Sequence, residues 1–119
     1  MTDRANPKFA PVVTRIYDLV LWILRLIRKF PKDYKFWLGT RMAETGLDLL
    51  RLGTHAAYTA DRRQILISAN LCVDDLRHLF RLCLDLRLLS ADQHEYAASG
   101  LNDIGRQVGG WMKATPERA

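Results

Sequence analysis

The chain has 119 residues, 49% of them hydrophobic and 26% charged, with a formal net charge of +5. That length allows one domain with one sizeable hydrophobic core, and the composition is ordinary for a soluble globular protein. Arg heavily outnumbers Lys, and a sequence pI near 9.6 favours a nucleic-acid or acidic-protein partner without choosing between them.

Met1 to Pro11 is polar and carries Asp3, Arg4 and Lys8, with no apolar run before a small-residue cleavage site. Residues 1–11 are expected to form a disordered or extended arm. Val12 to Ile27 is apolar enough to suggest a membrane span, but Arg15, Asp18 and Arg25 interrupt it and the uncharged run Leu19 to Leu24 is too short to cross a bilayer. A buried helix is expected there, with Pro11 in its first turn and an end near Lys29. Ile16, Val20, Ile23, Ile27 and Phe30 form its core seam, while Leu21, Trp22 and Leu24 lie off that seam.

Pro31 breaks the first helix, and Asp33 is the expected N-cap of a second over roughly Tyr34 to Tyr58. Gly39, Gly46 and Gly53 fall at heptad spacing within it. Each mid-helix Gly costs about 1 kcal/mol relative to Ala, so three on one stripe point to close approach of a neighbouring backbone or bulky side chain.

Asp61 is the expected cap of a third helix. From Asn70 to Leu89 there is no Gly or Pro, and Ile65, Ala69, Cys72, Leu76, Leu79, Cys83 and Leu86 recur at spacings of three and four as its core stripe. Leu71, Leu82 and Leu89 fall about a third of a turn away. With Trp22, which lies off the seam of the first helix, they give the chain apolar faces beyond one core, which call for a further partner. Arg77 and Arg81 stand one turn apart, with Asp74 and Asp85 at ion-pair spacing. Ser90-Ala91-Asp92-Gln93 reads as a capping box opening a fourth helix, whose inner stripe is Ala97, Leu101, Ile104, Val108 and Trp111. Residues 12–114 thus form the expected domain, with a polar tail over 115–119. Short connections between long helices predict an all-α, antiparallel up-down-up-down four-helix bundle.

Catalytic and metal chemistry find little support. Cys72 and Cys83 lie eleven residues apart on one helix, about 16 Å along its axis. That is beyond disulfide reach, and neither belongs to a C-x-x-C pair. Two small core residues in a reducing, cytoplasmic setting is the expectation. Asp75 and His78 have the spacing of a di-iron carboxylate–histidine pair but lack the second pair and the further Glu residues that such a site requires. Glu44 and Asp48 are flanked by Arg41 and Arg51 at ion-pair spacing. No phosphate loop and no nucleophile–base motif is present. Neither enzyme activity nor a cofactor or metal is expected.

The stretches Phe30-Pro-Lys-Asp-Tyr-Lys-Phe-Trp-Leu-Gly-Thr-Arg-Met42, Asp85-Leu-Arg-Leu-Leu-Ser90 and Ile104-Gly-Arg-Gln-Val-Gly-Gly-Trp-Met-Lys113 together resemble one family over about residues 14 to 114. It is the accessory variability determinant of diversity-generating retroelements, related to the four-helix proteins encoded in ribosomal RNA intervening sequences. The resemblance implies a basic, barrel-like homopentamer that partners the element's reverse transcriptase and template RNA in mutagenic retrohoming. It implies a polymerase contact at Arg77 and Arg81, and its homo-oligomer puts Leu71, Leu82, Leu89 and Trp22 at the expected oligomer interface. Arg25, Arg28, Lys29, Arg62 and Arg63 are further candidate contacts for polymerase or nucleic acid, chosen from charge clustering near helix ends. The alternative is a structural or RNA-associated member of the intervening-sequence branch without a polymerase partner.

Overall fold

The computed structural model describes residues 10–115. The expected N-terminal arm and polar tail fall mostly outside them. Among the described residues there are four helices and no strand: α1 (Ala10–Ile27), α2, α3 (Arg63–Asp85) and α4 (Ala91–Ala114). Helix α2 opens with Lys32–Tyr34, passes through a π-helical stretch Lys35–Gly39 and continues as Thr40–Tyr58. Helices α1 and α2, α2 and α3, and α3 and α4 pack closely in sequence order, and α4 closes back on α1 more thinly. The antiparallel order is visible in the contacts. Gly39 meets Ile27 while Gly53 meets Ile16, and Met42 meets Cys83. No helix among these residues is long and apolar enough to cross a membrane.

The glycine stripe has its physical reason in α1. A Cβ on Gly39 would stand 2.7 Å from Ile27 Cγ2, and one on Gly53 would stand 2.8 Å from Ile16 Cδ1. Gly46 faces Val20 and Ile23 at ordinary contact distance. The missing side chains let branched residues of α1 seat against the α2 backbone, burying Ile16 and Ile23 completely.

Several local expectations need correction. The buried stripe of α3 is Leu66, Ala69, Val73, Leu76, Phe80 and Cys83. The expected members Ile65, Cys72 and Leu79 flank that stripe, half-buried, and Leu86 is exposed. Helix α3 stops at Asp85 rather than Leu89. Arg87 adopts φ 63°, and the Leu88 and Arg87 N–H groups donate back to the Cys83 and Leu84 carbonyls. This is a Schellman closure with Arg where Gly is usual. Pro31, not Asp33, occupies the N-cap of α2, and Arg62, not Asp61, that of α3. Asp33 instead lies in the first turn, where its charge favours the helix dipole.

The fourth helix matches its reading closely. Gln93 N–H donates to Ser90 Oγ (3.1 Å) while Ser90 N–H donates to Gln93 Oε1 (2.9 Å), and Ala97, Leu101, Ile104, Val108 and Trp111 are all buried. Thr115, expected in the polar tail, is buried and donates its hydroxyl to the Trp111 carbonyl.

Candidate functional site

Arg77 and Arg81 project from α3 towards α4. Arg77 Nη1 donates to Asp74 Oδ1 at 2.9 Å, and Nη2 reaches across to Asn102 Oδ1 at 3.2 Å. Gly105 makes room for that reach, because a Cβ there would come within 3.1 Å of Nη2. Arg81 Nε donates to both Asp85 carboxylate oxygens at 3.3 Å. The two arginines, with Phe80, His94, Leu101 and Asn102, line a cavity of about 240 Å³ between the helices. Its floor is apolar, and Phe80 is almost wholly buried with its ring edge-on to Trp22 of α1 at 6.0 Å. Both arginines are exposed and both are answered by a carboxylate of their own helix. Such exposed i, i+3 and i, i+4 pairs are weak and exchange partners readily.

The elbow joining α1 to α2 lies at the end of the bundle where α3 stops. Arg25, Arg28, Lys29, Lys32 and Arg41 are exposed there and Lys35 is half-exposed. Between Arg25 and Arg41 fall six of the 18 Lys and Arg and one of the 13 Asp and Glu, leaving twelve of each in the rest of the chain. The formal net charge of the protein therefore resides in this segment. Among the described residues, ion pairs form on cations such as Arg15, Arg51, Arg77, Arg81 and Arg106 and on none of the elbow's six. Interleaved with these cations are Phe36, 69% exposed, and Trp37, 60% exposed. Tyr34 backs Trp37 with ring centroids 5.8 Å apart. A further cavity of about 300 Å³ runs from Trp37, Leu38 and Arg41 to Leu79 and Leu82 of α3.

The other expected contacts are scattered. Arg62 and Arg63 sit where α3 begins, at the opposite end of the bundle from the elbow. Arg62 Nε donates to the Thr59 carbonyl at 2.8 Å. Of the residues expected at an oligomer interface, Leu71 and Leu82 are exposed. Leu89 is a correction, because it is buried in the protomer's own core. Trp22 is half-buried, its ring tilted on Tyr96 of α4 at 5.1 Å as well as edge-on to Phe80. Arg106 joins Arg15 on Asp103 at the α1–α4 seam, at 2.8 and 2.9 Å. The Arg15 hydrogen bond is the chief reason the Asp103 carboxyl is held below its usual range.

Neither cysteine is set up as a nucleophile. Burial pushes the Cys83 thiol up to about 11 and, as the largest cause, raises Cys72 as well, so neither is a thiolate near neutrality. Among the described residues no three His, Cys, Asp or Glu side chains stand together as metal ligands. His78 is engaged through Nδ1 with the Asp74 carbonyl at 3.0 Å. Site reasoning from sequence missed Lys32, Lys35, Phe36, Trp37 and Arg41. The signal was available in Lys32-Asp-Tyr-Lys-Phe-Trp37, where aromatics interleave with cations.

A family model described as bAvd-like matches residues 12–115, which take in the four helices almost whole. No curated protein and no solved structure matches the chain.

Proposed function

The chain belongs to the bAvd-like family, the bacterial accessory variability determinants, and from that premise we propose that it is a non-catalytic accessory protein of a diversity-generating retroelement. In this reading it binds the element's reverse transcriptase and its template RNA or DNA during mutagenic retrohoming, and works as a homo-oligomer, a pentamer. The observation that carries the reading is the family match across the helical body. It favours the retroelement role over that of an intervening-sequence protein without a polymerase.

The surface chemistry supports the same role. Leu71, Leu82, Leu24 and Tyr17 are apolar or largely apolar and exposed on the protomer, and subunit contacts would cover such groups. Assembly multiplies the +5 of each chain, building the field that attracts a polyanion. Arg77 and Arg81 are the proposed polymerase contacts. Their guanidinium groups are engaged only by the exposed partners Asp74, Asn102 and Asp85, which a carboxylate of the polymerase can replace with forked contacts of its own.

The test is co-purification with the reverse transcriptase encoded beside this gene. Arg77→Ala combined with Arg81→Ala is expected to abolish capture of the enzyme while helicity and oligomer mass stay unchanged. Retained capture rejects the site. Light scattering of the unmodified protein addresses the assembly, and a monomer would count against the whole reading.

A further inference from the structure

The elbow has a chemistry of its own. Its six cations have no acidic partner among the described residues, and two large rings stand out from the surface between them. The two rings are consecutive in the chain, on the π-helical stretch Lys35–Gly39. A π-helical stretch holds more residues per turn than an α-helix, so consecutive side chains diverge less in direction, and Phe36 and Trp37 both reach solvent. The buried side of the same stretch is fixed by Leu38 and by Gly39 against Ile27. The platform therefore rests on the core and not on a free loop. Trp37 is braced from behind by Tyr34, and it shares a cavity with Arg41 one turn on.

We infer that this elbow is a stacking platform for unpaired nucleobases, with Phe36 and Trp37 taking the base faces and Lys32, Lys35, Arg28 and Arg41 the flanking phosphates. Single-stranded nucleic acid is the occupant that uses both halves of the surface. Every base has a π-face that an exposed ring can cover regardless of sequence. Six unanswered cations suit a phosphate chain, whose binding releases condensed counterions. A duplex keeps its bases stacked on one another and would leave the rings idle. A second copy laid face to face on this patch would oppose its cations to themselves. The inference deepens the nucleic-acid part of the proposed function and rests on it, but it concerns a surface separate from Arg77 and Arg81.

Fluorescence anisotropy on the full-length protein separates the two. The probes are a labelled oligo(dT) of about a dozen nucleotides, within the usual site size of single-strand binders, and a labelled duplex of similar length. Phe36→Ala with Trp37→Ala is expected to weaken oligo(dT) binding about tenfold or more while duplex binding and oligomer mass are unchanged. Trp37→Phe, which keeps a ring, is expected to retain most of the affinity. Lys32→Gln with Lys35→Gln leaves the rings in place and is expected to weaken both probes and to lower the salt dependence by about one counterion per lysine.

Unchanged oligo(dT) affinity in the double aromatic variant overturns the platform while leaving nucleic-acid binding elsewhere intact. A change in oligomer mass in that variant reassigns the patch to a subunit contact, and loss of reverse-transcriptase capture reassigns it to the polymerase. Either result overturns the inference. Failure of the unmodified protein to bind any oligonucleotide removes the platform together with the nucleic-acid part of the proposed function.

Discussion

Arg77 and Arg81 meet solvent beside carboxylates of their own helix, whereas the cations from Arg25 to Arg41 have no such partner among the described residues. The aromatic groups divide the other way. Phe80 lies under the arginine groove, buried, while Phe36 and Trp37 lie on the outer face of the elbow. One surface is thus charge-balanced over an apolar floor, and the other is charge-unbalanced with its apolar groups outermost. Balance suits a partner that offers a few fixed acidic groups in exchange for the ones already present. Imbalance suits a partner whose charge repeats along a chain.

The division can be broken most forcefully through its two phenylalanines. Phe80→Ala is expected to cost about 3–5 kcal/mol of stability, the usual loss for a buried aromatic. Phe36→Ala is expected to stay within about 0.5 kcal/mol. Urea unfolding of the two variants measures both, and similar losses would mean that the elbow ring is structural. A smaller effect is expected at Gly39, where an added Cβ meets the branched Cγ2 of Ile27. Gly39→Ala is expected to lose about 1–3 kcal/mol through overpacking, seen as a lowered Tm. Gly110→Ala, with nothing within 4 Å of the new methyl, is expected to gain up to about 1 kcal/mol from helix propensity.

Asp103, hydrogen-bonded to Arg15, titrates below its ordinary 3.8 in the folded protein. It therefore adds stability that is present above that value and is lost as pH falls through the folded one. Replacing it, Asp103→Asn, is expected to flatten the acid limb of a Tm-against-pH curve while leaving both cationic surfaces unchanged. The smallest effect on stability is expected from Asp85→Asn, a few tenths of a kcal/mol at most for an exposed helical pair. Yet that change gives the groove an unanswered Arg81. Oligonucleotide affinity is expected to rise slightly in titrations, making one surface resemble the other; a fall would contradict the role assigned to pairing.

Much of the bundle was legible in the residues, for reasons that differ between helices. In α4 the apolar residues are spaced so sparsely among polar ones that only one face qualifies, and the Ser90–Gln93 box marks its start. In α3 the run Leu82-Cys-Leu-Asp-Leu-Arg-Leu-Leu89 has leucines on every side. Periodicity alone there admits a stripe shifted by one residue and a helix one turn too long. Its true end is set by Arg87 in a conformation usually marked by Gly, so no local signal announced it. The heptad glycines announced a close neighbour, and packing identified it as α1. The π-helical stretch Lys35–Gly39 had no signature in the sequence. For the site, Arg77 and Arg81 were found by spacing and resemblance. The elbow was missed as a unit because its cations come from two helices and the turn between them.

The concentration of net charge in one segment also governs how the molecule approaches anything. The protomer extends 46 Å along its long axis, several times the Debye length of about 8 Å at physiological ionic strength. A polyanion therefore senses only the nearer end. Encounters that present the elbow are accelerated and the rest are close to neutral, so attraction also selects orientation. Fast association at low salt, slowing steeply as salt is added, is the kinetic signature of such a lopsided charge distribution.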